Sequence, residues 1–145
     1  MTYLLDVNVL IALIDPAHVS HDAAHHWFEA VGKTSWATCP ITENGVIRIV
    51  GHPGYPNMPG STVEVAAIVG KMRELPGHIF WPDSLSLFDS GHVDVSHILT
   101  SAQVTDSYLL ALARANGGML ATFDRRLSAK AVTKGKETLH IIGNS

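Results

Sequence analysis

The chain is 145 residues long, 46% hydrophobic and 16% charged, with a net charge of -3 and a single cysteine, Cys39. That length and apolar content suit one domain spanning 1–145 and exclude a disordered chain. One cysteine excludes a disulfide scaffold or an all-cysteine zinc site and fits a reducing cytoplasm, and the mildly negative charge excludes a broadly basic nucleic-acid coat.

Tyr3, Leu4 and Leu5 read as a short buried strand, and 6–14 as a helix stopped by Asp15 and Pro16. The apolar run 4–14 is broken by Asp6 and Asn8, is too short to span a bilayer and has no basic leader, so neither membrane anchor nor signal peptide is expected. Ser20 opens a second helix with Ala24, Trp27, Phe28 and Val31 on one face, ended by Gly32. A strand over 35–39 closes at Pro40, and a helix over 41–50 turns Val46, Ile47 and Val50 inward. The segment 51–60, with three prolines and three glycines, is a loop. Ser61 and Glu64 have capping-box spacing ahead of Val65, Ile68, Val69 and Met72. Pro76 and Gly77 end that helix, and 78–81 is a third strand. In 82–100, Asp83 or Ser84 caps a short helix through Phe88, broken by Gly91. A helix over 105–116 buries Leu109, Leu112 and Ala113 and stops at Gly117 and Gly118. A fourth strand over 119–122, a short helix over 125–131 and a fifth strand over 139–142 complete the chain. Short apolar strands alternating with helices predict a mostly parallel sheet of about five strands, covered on both faces.

In such sheets ligands lie beyond the carboxyl ends of the strands. Four acids occupy those junctions. Asp6 follows the first strand, and Glu43 lies in the first turn after the second. Asp106 lies in the first turn of the helix opened by Thr105, and Asp124 follows the fourth strand. Each alone is explained as an acid at a helix N-terminus. Together, above one sheet edge, they would repel one another, and a hard divalent cation with oxygen ligands relieves that conflict. Such an ion activates water and neutralises phosphoryl charge, which points to phosphodiester hydrolysis.

The segments around these acids are Leu4-Leu5-Asp6-Val7-Asn8-Val9-Leu10, Thr42-Glu43-Asn44-Gly45-Val46-Ile47-Arg48, Val104-Thr105-Asp106-Ser107-Tyr108-Leu109 and Ala121-Thr122-Phe123-Asp124-Arg125-Arg126-Leu127. In this order they resemble the PIN-domain ribonucleases, and more narrowly the VapC-type toxins of toxin–antitoxin pairs. The resemblance implies a three-layer α/β/α sandwich and a Mg²⁺- or Mn²⁺-dependent endoribonuclease that cuts cellular RNA with metal-activated water. It also implies a cognate VapB-type antitoxin and a homodimer. Asp6, Glu43, Asp106 and Asp124 match the family's acidic quartet. Asp6 and Asp106 are then metal ligands. Glu43 binds directly or through water, and Asp124 completes a second metal site or holds a water. Asn8 and Thr122 match supporting positions that orient the acids or bond the scissile phosphate. Read without the resemblance, Asn8 is a helix-start residue and Thr122 a β-branched strand residue.

Other features carry less. His21 and His25 share a helix face at zinc-binding spacing, but Asp22 stands where the metalloprotease motif needs Glu, so a polar face opposite Trp27 and Phe28 is expected. Cys39 reads as a small buried apolar residue. Arg125 and Arg126, beside Asp124, are RNA contacts or part of a solvated basic run. Arg48 is an RNA contact or the partner of Glu43 in a surface ion pair. Tyr55 in the loop is a stacking candidate. Two competing functions stand against a nuclease. One is a non-catalytic binding module on the same fold. The other is a haloacid dehalogenase-type phosphatase, which needs an acid where Asn8 stands.

Overall fold

The computed structural model describes residues 1–57 and 60–143. Among them, five strands form one sheet: β1 (Tyr3–Leu5), β2 (Trp36–Thr38), β3 (His78–Phe80), β4 (Met119–Thr122) and β5 (Leu139–Ile141). Their order is β3-β2-β1-β4-β5, and every neighbouring pair is parallel. The helices are α1 (Val7–Ile14), α2 (His21–Ala30), α3 (Pro40–Val50), α4 (Thr62–Arg73), α5 (Gln103–Ala115) and the single turn α6 (Gly135–Thr138).

Side chains alternate across a strand, so each strand feeds two cores. Leu5, Trp36 and Ala121 pack with α1 to α4 on one face. Leu4, Ala37 and Leu120 pack with α5 on the other. The result is the expected three-layer α/β/α sandwich around a parallel sheet. The chain winds outward from β1 to β2 and β3, then returns to place β4 on the far side of β1. The β1–β4 boundary is therefore the topological switch point, where open parallel sheets form their crevice. Asp6 and Asp124 follow those two strands.

Three sequence expectations give way. No helix forms over 83–88. Ser86 and Phe88 donate backbone N–H groups to the side chains of Asp89 and Ser86, and these local bonds hold the segment in turns. No helix forms over 125–131 either; Arg126 donates its N–H to Asp124 Oδ1 at 2.9 Å in a turn of the same kind. A helical turn appears instead at α6, entered through Lys134 in the left-handed region at φ 53°. The third concerns Val31, which is exposed just past α2 rather than on its inner face. The helix expected from Thr105 starts two residues earlier, at Gln103, and ends at Gly117 with φ 72°, a conformation only glycine adopts freely.

The irregular chain from Trp81 to Val93 and from Leu127 to Val132 has a structural use. Ser107 to Ala113 are all buried, so α5 is enclosed on every side. The sheet covers one side, and Trp81, Val93, Leu127 and Val132 cover the other, joined by an antiparallel bridge between Val93 and Val132. The loop expected over 51–60 is irregular where described; Met58 and Pro59, like Asn144 and Ser145, lie outside the described residues. Among the described residues no helix is long and apolar enough to cross a membrane.

Candidate active site

Asp6 is positioned by the sheet. Its backbone N–H donates to the Ala121 carbonyl at 3.0 Å, extending the β1–β4 pairing by one residue. The chain then turns into α1 with Asp6 as N-cap, and Oδ1 accepts the Val7 N–H at 2.8 Å. Oδ2 accepts the Thr122 hydroxyl at 2.7 Å. The residue is only 7% exposed, and burial raises its carboxyl above the usual carboxylate value. The Thr122 and Val7 bonds work against that rise, and the charge of Asp124 adds to it.

Thr122 is the hub. Its hydroxyl donates to Asp6 and accepts from Asn8 Nδ2 at 3.1 Å and from the Asp124 N–H at 3.1 Å. One donor and two acceptor lone pairs are thus all used. Asn8 is fixed from its other end, because its Oδ1 accepts the Phe123 N–H at 3.3 Å. Thr122 thus bonds the Asp6 carboxylate directly, and Asn8 couples the first turn of α1 to the β4 terminus.

Asp106 enters from the first turn of α5. Its carboxyl is pushed up to about 6 by burial, and then by the charges of Asp6 and Asp124. The charges of Asp6 and Asp124 thus reach Asp106, and that of Asp124 reaches Asp6. Glu43, in the first turn of α3, has separate partners. Its Oε2 accepts the Thr38 hydroxyl at 2.7 Å and pairs with Arg73 Nε at 3.2 Å. Thr38 is in turn bonded to His78 Nε2 at 2.7 Å. Gly45 lets the two acid-bearing helices approach: a Cβ there would stand 2.8 Å from Val7 Cγ2, so a larger residue would force Val7 or α3 to shift.

The donor set fits a hard divalent ion. Every candidate ligand is a carboxylate oxygen, and the Asp106 carboxyl is raised first by burial and then by the charges of Asp6 and Asp124, both of which a bound cation would offset. Among the described residues, no three His, Cys, Asp or Glu side chains are already drawn together into a ligand cage.

A family profile described as PIN domain matches residues 3–132. The chain belongs to the PIN-domain family. Its relatives include Ribonuclease VapC44 of Mycobacterium tuberculosis, 41% identical over 132 residues that cover 91% of this chain and 92% of that protein. Ribonuclease VapC39 of the same organism is 43% identical over 131 residues, covering 90% and 94%. Ribonuclease VapC38 is 36% identical over 139 residues, covering 96% of each. Among solved structures, that of M. tuberculosis VapC20, described as a Sarcin-Ricin loop cleaving toxin, superposes with a TM-score of 0.63. It covers 91% of this chain and 97% of VapC20 at 13% identity, a likeness of fold.

The other sequence candidates of this PIN domain fall elsewhere. Glu43 pairs with Arg73, not with Arg48, which stands beside Asn44, Ile47, His52 and Thr62. Arg125 donates Nη2 to the Gly143 carbonyl at 3.0 Å. Arg126 follows Asp124 as an exposed residue. Tyr55 points inward: its hydroxyl bonds buried Asp15, and its ring packs on the first core. His21 Nδ1 and His25 Nε2 bond the Ala12 and Leu13 carbonyls, so each spends one ring nitrogen on the last turn of α1. Cys39 is fully buried, and burial raises its thiol pKa. Sequence reasoning passed over Arg73, Thr38 and Gly45. Only Gly45 carried a local signal, a glycine inside an amphipathic helix.

Proposed function

We propose that this protein is a divalent-metal-dependent endoribonuclease, acting as one domain over 1–145 and as the toxin of a type II toxin–antitoxin pair. The observation that carries the reading is the crowding of Asp6, Asp106 and Asp124 at the β1–β4 switch point, in a chain whose relatives are VapC ribonucleases. Asp6, Asp106, Glu43 and Asp124 hold the ion, Mg²⁺ or Mn²⁺. A bound divalent cation supplies water activation and neutralises charge on the phosphoryl oxygens. The protein supplies orientation. Thr122 and Val7 fix both oxygens of Asp6, Asn8 locks Thr122, and Thr38 with Arg73 fixes one oxygen of Glu43. RNA is the substrate, a VapB-type antitoxin and a second copy of the chain are the protein partners, and the cytoplasm is the compartment.

Purified protein incubated with total RNA should give discrete cuts that need Mg²⁺ or Mn²⁺ and stop on adding chelator. Cutting that persists in chelator would refute the metal-dependent reading. A second expected result concerns the hub. Thr122→Val strips the donor from Asp6 and the acceptor from Asn8, so Mn²⁺ affinity should fall by about 10–100-fold, while Thr122→Ser keeps it. Calorimetric titration reads both variants, and equal affinities would remove Thr122 from the site.

A further inference from the structure

Arg73 closes α4 with its side chain committed on two sides and open on a third. Its Nε pairs with Glu43 Oε2 at 3.2 Å, and its guanidinium carbon stands 5.0 Å from the centroid of the Phe80 ring. Among the described residues its two terminal nitrogens make no hydrogen bond, and the side chain is 44% exposed. Phe80 ends β3 and is itself 40% exposed. It lies in register with Thr38, whose hydroxyl holds the same Glu43 oxygen. Because β3 is a sheet edge, the row of strand ends that carries the acids runs outward to an arginine resting on an exposed aromatic ring.

A polyanion approaching several carboxylates needs cationic contacts at the rim to hold it there. A guanidinium paired through Nε and standing over a ring keeps its remaining fork oriented, with less side-chain freedom left to lose. That planar fork matches phosphate oxygens. We propose that Arg73 and Phe80 form a subsite for the RNA strand beside the cleavage centre, Arg73 binding a backbone phosphate through its terminal nitrogens and Phe80 supporting the guanidinium. The subsite rests on the ribonuclease reading.

The test uses full-length Asp106→Asn protein, a fluorescent single-stranded RNA of mixed sequence, chelator and a salt series followed by anisotropy. Adding Arg73→Ala should lower affinity several-fold and reduce the slope of log K against log salt by about 0.7, the value for one single-strand phosphate contact. Arg73→Lys should keep the slope, and Phe80→Ala should weaken binding with the slope intact. A residue that only steadies Glu43 would leave the slope unchanged and weaken Mn²⁺ binding in the otherwise wild-type protein; that result overturns the subsite. If the parent Asp106→Asn protein binds no RNA, the ribonuclease reading fails and takes the subsite with it. If the parent binds and Arg73→Ala leaves the slope unchanged, the subsite alone fails.

Discussion

In metal-free buffer above pH 6, Asp106→Asn is expected to melt several degrees higher than the wild type, while losing RNA cleavage by on the order of 10³-fold or more. The carboxyl stands at about 6 in the folded chain against an ordinary 3.8, because of burial and then the charges of Asp6 and Asp124. The folded state therefore binds this proton more tightly than the unfolded state. Its contribution to stability is full below about pH 4, declines as pH rises through 4 to 6, and is lost above. A shift of that size corresponds to about 3 kcal/mol, and solvent screening of a half-buried group reduces it to about 1–2 kcal/mol. His78 and His140 act in the opposite sense. Burial lowers both pKa values, so each stabilises the fold more as pH climbs from the depressed value up to its ordinary 6.5. His140 accepts the Trp27 indole N–H at 2.9 Å through Nε2 and must be neutral there to do so. Melting temperatures of wild type and Asp106→Asn between pH 4 and 6 read the carboxylate effect alone. Parallel curves would show that the Asp106 carboxyl is not raised in the folded chain.

Asp15→Ala should destabilise the protein by about 3 kcal/mol without touching the acidic site. Asp15 caps the end of α1 and has no exposed surface. It accepts the Tyr55 hydroxyl at 2.5 Å, Asn57 Nδ2 at 3.0 Å and the Ala17 N–H at 2.9 Å. Burial pushes its carboxyl up, but the bonds from Tyr55, Asn57 and Ala17 outweigh it and hold the pKa below the ordinary value. This stability is present above about pH 4 and is lost as pH falls through the depressed value. Removing the carboxylate leaves the Tyr55 hydroxyl without its acceptor beside the core and frees the chain after Gly51. Urea unfolding gives the energy, and limited proteolysis should show new cleavage within residues 51–57. Unchanged proteolysis would mean that Asp15 does not anchor that segment.

The strands and the long helices were legible because their patterns are local. A short apolar run before a helix with a buried stripe leaves few alternatives, and the four acids fall at strand ends by that same reading. The acids' identity as a set was legible only through order and resemblance, since each alone is an ordinary helix-start residue. Residues 83–88 and 125–131 form no helix because Asp and Ser side chains offer the backbone local bonds that compete with a short helix, whose nucleation is costly. Asp15 read as a helix stop because its partners stand forty residues away, at Tyr55 and Asn57. Arg73 was invisible for the same reason: it reaches the Glu43 oxygen from the end of α4, far along the chain.

The placement of β1 between β2 and β4 has a consequence for biosynthesis. The first strand leaves the ribosome early, but the neighbour that completes its pairing and delivers Thr122 and Asp124 is made more than a hundred residues later. Loop closure over that span comes last, so a nascent or prematurely terminated chain ending before Met119 carries Asp6 and Glu43 with no assembled centre. A ribonuclease whose proposed centre needs Asp124 is expected to stay inactive for most of its own translation.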